Sequence, residues 1–104
     1  MNDMNDVKIE VKVRRKGESE WTDGQIIKIE KIEYKKDSRP ICTIITERSE
    51  LRLLLPGSDE WIKELARNCE KEIVVDSYYE NEVKFGKDEW NTFRKIIFKL
   101  FGIL

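Results

Sequence analysis

The sequence predicts an α+β domain: a mainly antiparallel β-sheet with two helices on one side, in the order ββββα-ββα. Three observations carry this. Val7, Ile9, Val11 and Val13 alternate with Lys8, Glu10, Lys12 and Arg14, the period-two pattern of a strand with one buried and one solvated face. Apolar residues recur at helical spacing after Pro56-Gly57 and again after Gly86. The segments joining the strands are of hairpin length, which selects antiparallel neighbours. No linker interrupts the pattern, so residues 1–104 are expected to form one domain, with the polar stretch 1–6 as a flexible tail.

The first strand runs out at Arg14-Arg15-Lys16, and Gly17 with Asp23-Gly24 signals a turn. A second strand is expected over residues 25–36. Its apolar residues Ile27, Ile29, Ile32 and Tyr34 change parity between Glu30 and Lys31, so a β-bulge is expected there to keep them on one face. Asp37-Ser38-Arg39-Pro40 reads as the next turn. Residues 41–46, rich in β-branched side chains, form the third strand. Leu51, Leu53 and Leu55 make the inward face of the fourth, which Pro56-Gly57 ends.

Ser58 or Asp59 then caps a helix whose apolar stripe is Trp61, Ile62, Leu65, Ala66 and Cys69. Residues 73–79 and 83–85 read as a hairpin around Glu80-Asn81. A final helix starts at Gly86-Lys87-Asp88 and runs to about Phe101, with Trp90, Phe93, Ile97, Leu100, Phe101 and Leu104 on its core side. Gly-x-Asp-Glu-Trp opens both helices. Gly permits the sharp exit, Asp caps, Glu meets the helix dipole and Trp docks the first turn. A duplicated ββα unit and two independent helix starts both account for it. The motif lacks the glycine spacing and the Lys-Ser/Thr of a phosphate loop.

Composition removes whole classes of function. Without histidine there is no Ser-His-Asp or Cys-His arrangement and no His-ligated metal site. Cys42 and Cys69 cannot complete a four-ligand zinc site; they read as small core residues or as one disulfide. Asp59, Asp88, Glu60 and Glu89 are explained as caps and dipole partners. Neither they nor Glu64, Glu80 and Glu82 lie in an Asp-x-Asp or Gly-rich metal loop. No metal, no cofactor and no catalysis is expected.

Charged residues make up 39% of the chain, against roughly 25% in an average domain. With Glu, Lys and Ile enriched and Gln25 the single glutamine, that excess has the profile of a hyperthermophile protein. The polar start has no secretory pattern, and the longest apolar run, 96–104, is too short to cross a bilayer and contains Lys99. A cytoplasmic location with no membrane partner is expected.

One constellation points to binding. Arg14, Arg15 and Lys16 end the first strand, Lys35, Lys36 and Arg39 follow the second, and Trp21 lies between. Cations neutralise phosphate, and an exposed Trp stacks on an unpaired base. If the first two strands pair, Lys8, Lys12, Arg14 and Lys28 share their outward face, joined by Arg52. Glu10, Glu18, Glu20, Glu30 and Glu33 interleave, which equally suits a solvated, mixed-charge face. The last helix carries Ile96, Phe98 and Ile103 off its core stripe, which suggests a homodimer through that helix.

The segment Val83-Lys84-Phe85-Gly86-Lys87-Asp88-Glu89-Trp90 resembles the last strand and helix start of the positive-cofactor-four-like single-stranded-DNA-binding domains. The small sheet backed by helices is also similar to archaeal ThermoDBP-type binders. These resemblances imply dimerisation through helices and binding of unpaired DNA on basic, aromatic-bearing strands. The expectation is therefore a small, non-catalytic, dimeric protein that binds single-stranded nucleic acid. The alternative is a protein-interaction module, such as a viral or plasmid-encoded inhibitor of a host factor.

Overall fold

The computed structural model describes residues 3–4, 7–56, 72–77 and 79–102. The helix expected after Ser58 or Asp59, with Cys69 near its end, lies outside the described residues, as do Ile103 and Leu104. The described elements are β1 (Asp3–Met4), β2 (Ile9–Arg15), β3 (Thr22–Tyr34), β4 (Asp37–Thr46), β5 (Glu50–Leu54), β6 (Ile73–Asp76), β7 (Asn81–Phe85) and α1 (Lys87–Phe101). All strand pairings among them are antiparallel. The sheet order is β5-β4-β3-β2-β7-β6, so the late hairpin closes onto the first long strand. Asp3 and Met4, within the stretch read as a tail, pair with Glu30 and Ile29 of β3.

Alternation in β2 works as its sequence dictates: Ile9, Val11 and Val13 are buried, while Lys8, Glu10 and Lys12 are exposed. The bulge in β3 is real but sits at Ile27 rather than between Glu30 and Lys31, because the register passes from Ile26–Ile44 to Lys28–Thr43. Ile26 and Ile29, both fully buried, are thereby the inward pair, and Ile27 is the extra residue. The bulge coincides with the point where this edge of β3 changes partner from β2 to β1.

Two expected turns are strand instead. Asp23-Gly24 lies inside β3, opposite Lys12 and Val11. Gly24 is needed for space: a Cβ there would come within 2.8 Å of Ile44 Cγ2. Asp37 to Pro40 opens β4, and the turn is the pair Lys35-Lys36, with φ of 50° and 76°. Two positive φ values in a two-residue loop are what a type I′ hairpin turn requires. Lys-Lys carries none of the usual Asn-Gly signal, so the turn was invisible to composition. Pro40 is tolerated because its carbonyl accepts from Leu55 N at 2.9 Å. Its absent N–H falls on that same side, at the end of the β4–β5 ladder.

β6 ends at Asp76, short of the expected residue 79, because buried Ser77 closes the loop. Ser77 N donates to Asn81 O, and Asn81 N donates to Ser77 Oγ. At the start of α1 the N-cap is Gly86, with no side-chain cap bond, so Asp88 lies in the first turn rather than capping it. Glu89 folds back over Gly86. Gly102 ends the helix in the left-handed conformation, its N–H donating to Lys99 O.

Trp90, Phe93 and Ile97 bury one face of α1 against the inner sheet face, and Leu100 and Phe101 are partly buried on the same core. Phe85 meets Trp90 edge-on at 5.3 Å and Phe93 at 4.8 Å, so strand, helix start and helix middle share one aromatic cluster. Cys42 is a buried free thiol in this core.

Candidate binding face at one end of the sheet

Because the strands are antiparallel neighbours, three connections meet at one end of the sheet: residues 16–21, residues 47–49, and the one that carries Ser77, Tyr79 and Glu80. The first and the last of these are tied together. Lys16 N donates to Glu80 O at 2.8 Å, Lys16 Nζ to Tyr79 O at 3.1 Å, and Arg15 Nη2 holds the Glu80 carboxylate at 2.9 Å. Gly17 gives the first connection its turn at φ 94°.

Trp21 is half-buried at this end. The Arg14 guanidinium carbon lies 4.2 Å from the centre of its ring and Lys84 Nζ 4.7 Å. Both cations come from the outward face, Arg14 from β2 and Lys84 from β7. Such contacts hold an aromatic ring in place by about 0.5–1 kcal/mol each at exposed sites. Tyr79, on the neighbouring connection, is the most exposed large hydrophobic residue among the described residues, at 62%.

The outward face is laced with ion pairs. Lys12 holds Asp23 at 2.7 Å, Arg14 holds Glu82 at 3.0 Å, and Lys84 lies 3.8 Å from Glu72. Further along, Glu30 takes both Lys28 at 2.6 Å and Arg52 at 2.8 Å, which joins Arg52 to this face as the sequence suggested. The hydrogen bond between Lys12 and Asp23 raises the pKa of the amine and lowers that of the carboxyl. Glu30 is likewise held low, first by its bond to Lys28, with Arg52 adding to it.

The structure divides the sequence-predicted binding residues. Arg14, Arg15, Lys16 and Trp21 are together. Lys35, Lys36 and Arg39 lie at the opposite end of β3, separated from them by its 13 residues. Lys35 and Lys36 are exposed and Arg39 is half-buried. Ile96 and Phe98 are partly buried against the chain's own core, and Arg94 lies 5.5 Å from the centre of the Phe98 ring. Lys84, Tyr79 and Arg48 were missed. Lys84 and Tyr79 reach this end through the pairing of β7 with β2, a contact across most of the chain that no local pattern encodes, and Arg48 through the connection between β4 and β5.

Among the described residues no three His, Cys, Asp or Glu side chains are placed to hold a metal ion. No described helix is long and apolar enough to cross a membrane. Compared with family models, curated proteins and solved structures, the chain matches none.

Proposed function

We propose that the chain is a non-catalytic protein-interaction module that docks a partner on the end of the sheet around Trp21. The observation that carries this reading is the setting of Trp21: stacked by Arg14 and Lys84, while those cations and their neighbours already hold carboxylates. A phosphate backbone needs cations free to replace its counterions. Here it would compete with Asp23, Glu72, Glu80 and Glu82, and with Glu18 and Glu20 nearby. A protein partner needs something else: aromatic and arginine anchors in a polar, charge-balanced rim. Trp21, Tyr79 and Arg48, presented on connections, and Arg14 and Arg15, at the end of β2, supply these residue types at one end of the sheet.

Single-stranded nucleic acid is the second reading. It is favoured by the Lys35-Lys36 turn, where two exposed lysines hold positive φ in place of the residues such a turn prefers.

The experiment is recovery of the tagged chain from its native cells with and without nuclease. A stoichiometric protein partner that survives nuclease supports the docking face. Bound material consisting of nucleic acid, released by nuclease, would replace it with the second reading.

A further inference from the structure

Within that end of the sheet the geometry points to a seat for a single carboxylate, the side chain of an acidic peptide segment, in the cavity between Arg15 and Arg48. This inference rests on the docking face proposed above and names the chemistry of its partner.

The cavity has a volume of about 160 Å³. Three guanidinium-bearing residues line it, Arg14, Arg15 and Arg48, against one carboxylate, Glu18. Its volume is below the roughly 300–1,000 Å³ of a drug-sized ligand site and enough for a carboxylate with its methylenes. Its apolar wall is Val13 and Leu51, which suits those methylenes.

The donors are available. A guanidinium carries five N–H groups, and the ion pair of Arg15 occupies only Nη2, while Arg14 is engaged by Trp21 and Glu82. The Arg48 guanidinium makes no ion pair among the described residues, and the Asn81 side chain beside it makes no hydrogen bond among them. The backbone that carries Arg48 is also held in position. Thr46 Oγ1 accepts from Arg48 N at 3.3 Å and from Ser49 N at 3.1 Å, and Thr46 N donates to Ser49 O at 2.8 Å. A turn fixed in this way loses little further freedom when an anion binds.

The surroundings select a lone carboxylate over a polyphosphate chain. Glu18 lines the cavity, and Glu80 and Glu82 sit on its arginines. A carboxylate on a flexible side chain can enter between them with its neighbours turned away, whereas a phosphodiester, fixed in its own backbone, brings the adjoining phosphates against them.

The probe is acetylated hexaglutamate, with hexaglutamine and an oligothymidylate of equal length as controls, followed through backbone amide shifts at low salt. Saturable shifts confined to Arg15, Arg48, Ser49 and Asn81 are expected with hexaglutamate and absent with hexaglutamine. Arg48→Gln weakens binding at least about tenfold, the loss of one charge-assisted pair, and Lys95→Gln on the exposed face of α1 leaves it unchanged. Shifts spread over the surface lysines, indifference to Arg48→Gln, or tighter oligothymidylate binding at the same amides would overturn the assignment. The two proposals fail separately. A recovered partner that binds Arg48→Gln as tightly as the native chain keeps the docking face and rejects the seat. Hexaglutamate bound at the seat, with no protein partner recovered, keeps the seat and rejects the docking face.

Discussion

Arg14 makes two contacts at once: its guanidinium carbon lies 4.2 Å from the centre of the Trp21 ring while its Nε holds Glu82 at 3.0 Å. The pair joins the first connection of the sheet to the late hairpin. Trp21 is thereby kept in a fixed pose without being buried, which is the condition for an anchor that loses little freedom on binding.

A double-mutant cycle between Arg14→Ala and Trp21→Ala should show coupling of about 0.5–1 kcal/mol in chemical denaturation. The Glu82 bond is lost in both Arg14→Ala arms and cancels. Additive effects would mean that the stacking contributes nothing.

The Lys35-Lys36 turn predicts a stabilising change. Replacing the pair by Asn-Gly puts at both positive-φ positions residues that tolerate that conformation, and about 1 kcal/mol of added stability is expected from the shift in denaturation midpoint. A neutral or destabilising result would contradict the type I′ assignment.

Gly24→Ala should destabilise by about 1–3 kcal/mol, the range for forcing a group into a packed interior, because its Cβ meets Ile44 Cγ2. A melting temperature equal to that of the native chain would refute the close approach.

Glu30 sets part of the acid response. Its folded pKa is depressed by Lys28 and Arg52, so its contribution is fully present above the ordinary glutamate pKa of about 4.3 and is lost as pH falls through the lower folded value. Glu30→Gln should therefore lower stability at pH 7 and leave it nearly unchanged at pH 2, by urea denaturation at both. An equal loss at the two pH values would assign the effect to packing instead.

Burial pushes the Cys42 thiol well above its usual range. Iodoacetamide should leave Cys42 unlabelled in the native state and modify it after denaturation, read by peptide mass spectrometry. Rapid native labelling would place Cys42 outside the core.

Much of the fold is legible in local pattern. The alternation in β2, the apolar faces of β4 and β5 and the stripe of α1 follow from spacing, because burial of one face dictates each of them. What local pattern misses has particular causes. Asp23-Gly24 reads as a turn until the cross-strand partners Lys12 and Ile44 are known. Lys35-Lys36 turns the chain with residues that carry no turn signal. The candidate site is half-legible for the same reason. Arg14, Arg15, Lys16 and Trp21 are neighbours in sequence, whereas Tyr79 and Lys84 join them only through the β2–β7 pairing, and Lys35, Lys36 and Arg39 are carried away by the length of β3.

The docking face stands or falls most directly on the affinity of the Trp21→Ala chain for the protein partner recovered from cells after nuclease, measured beside its melting curve. The account predicts a loss of about thirtyfold or more, the mark of an aromatic anchor, with the fold intact. An affinity within twofold of the native chain would contradict it.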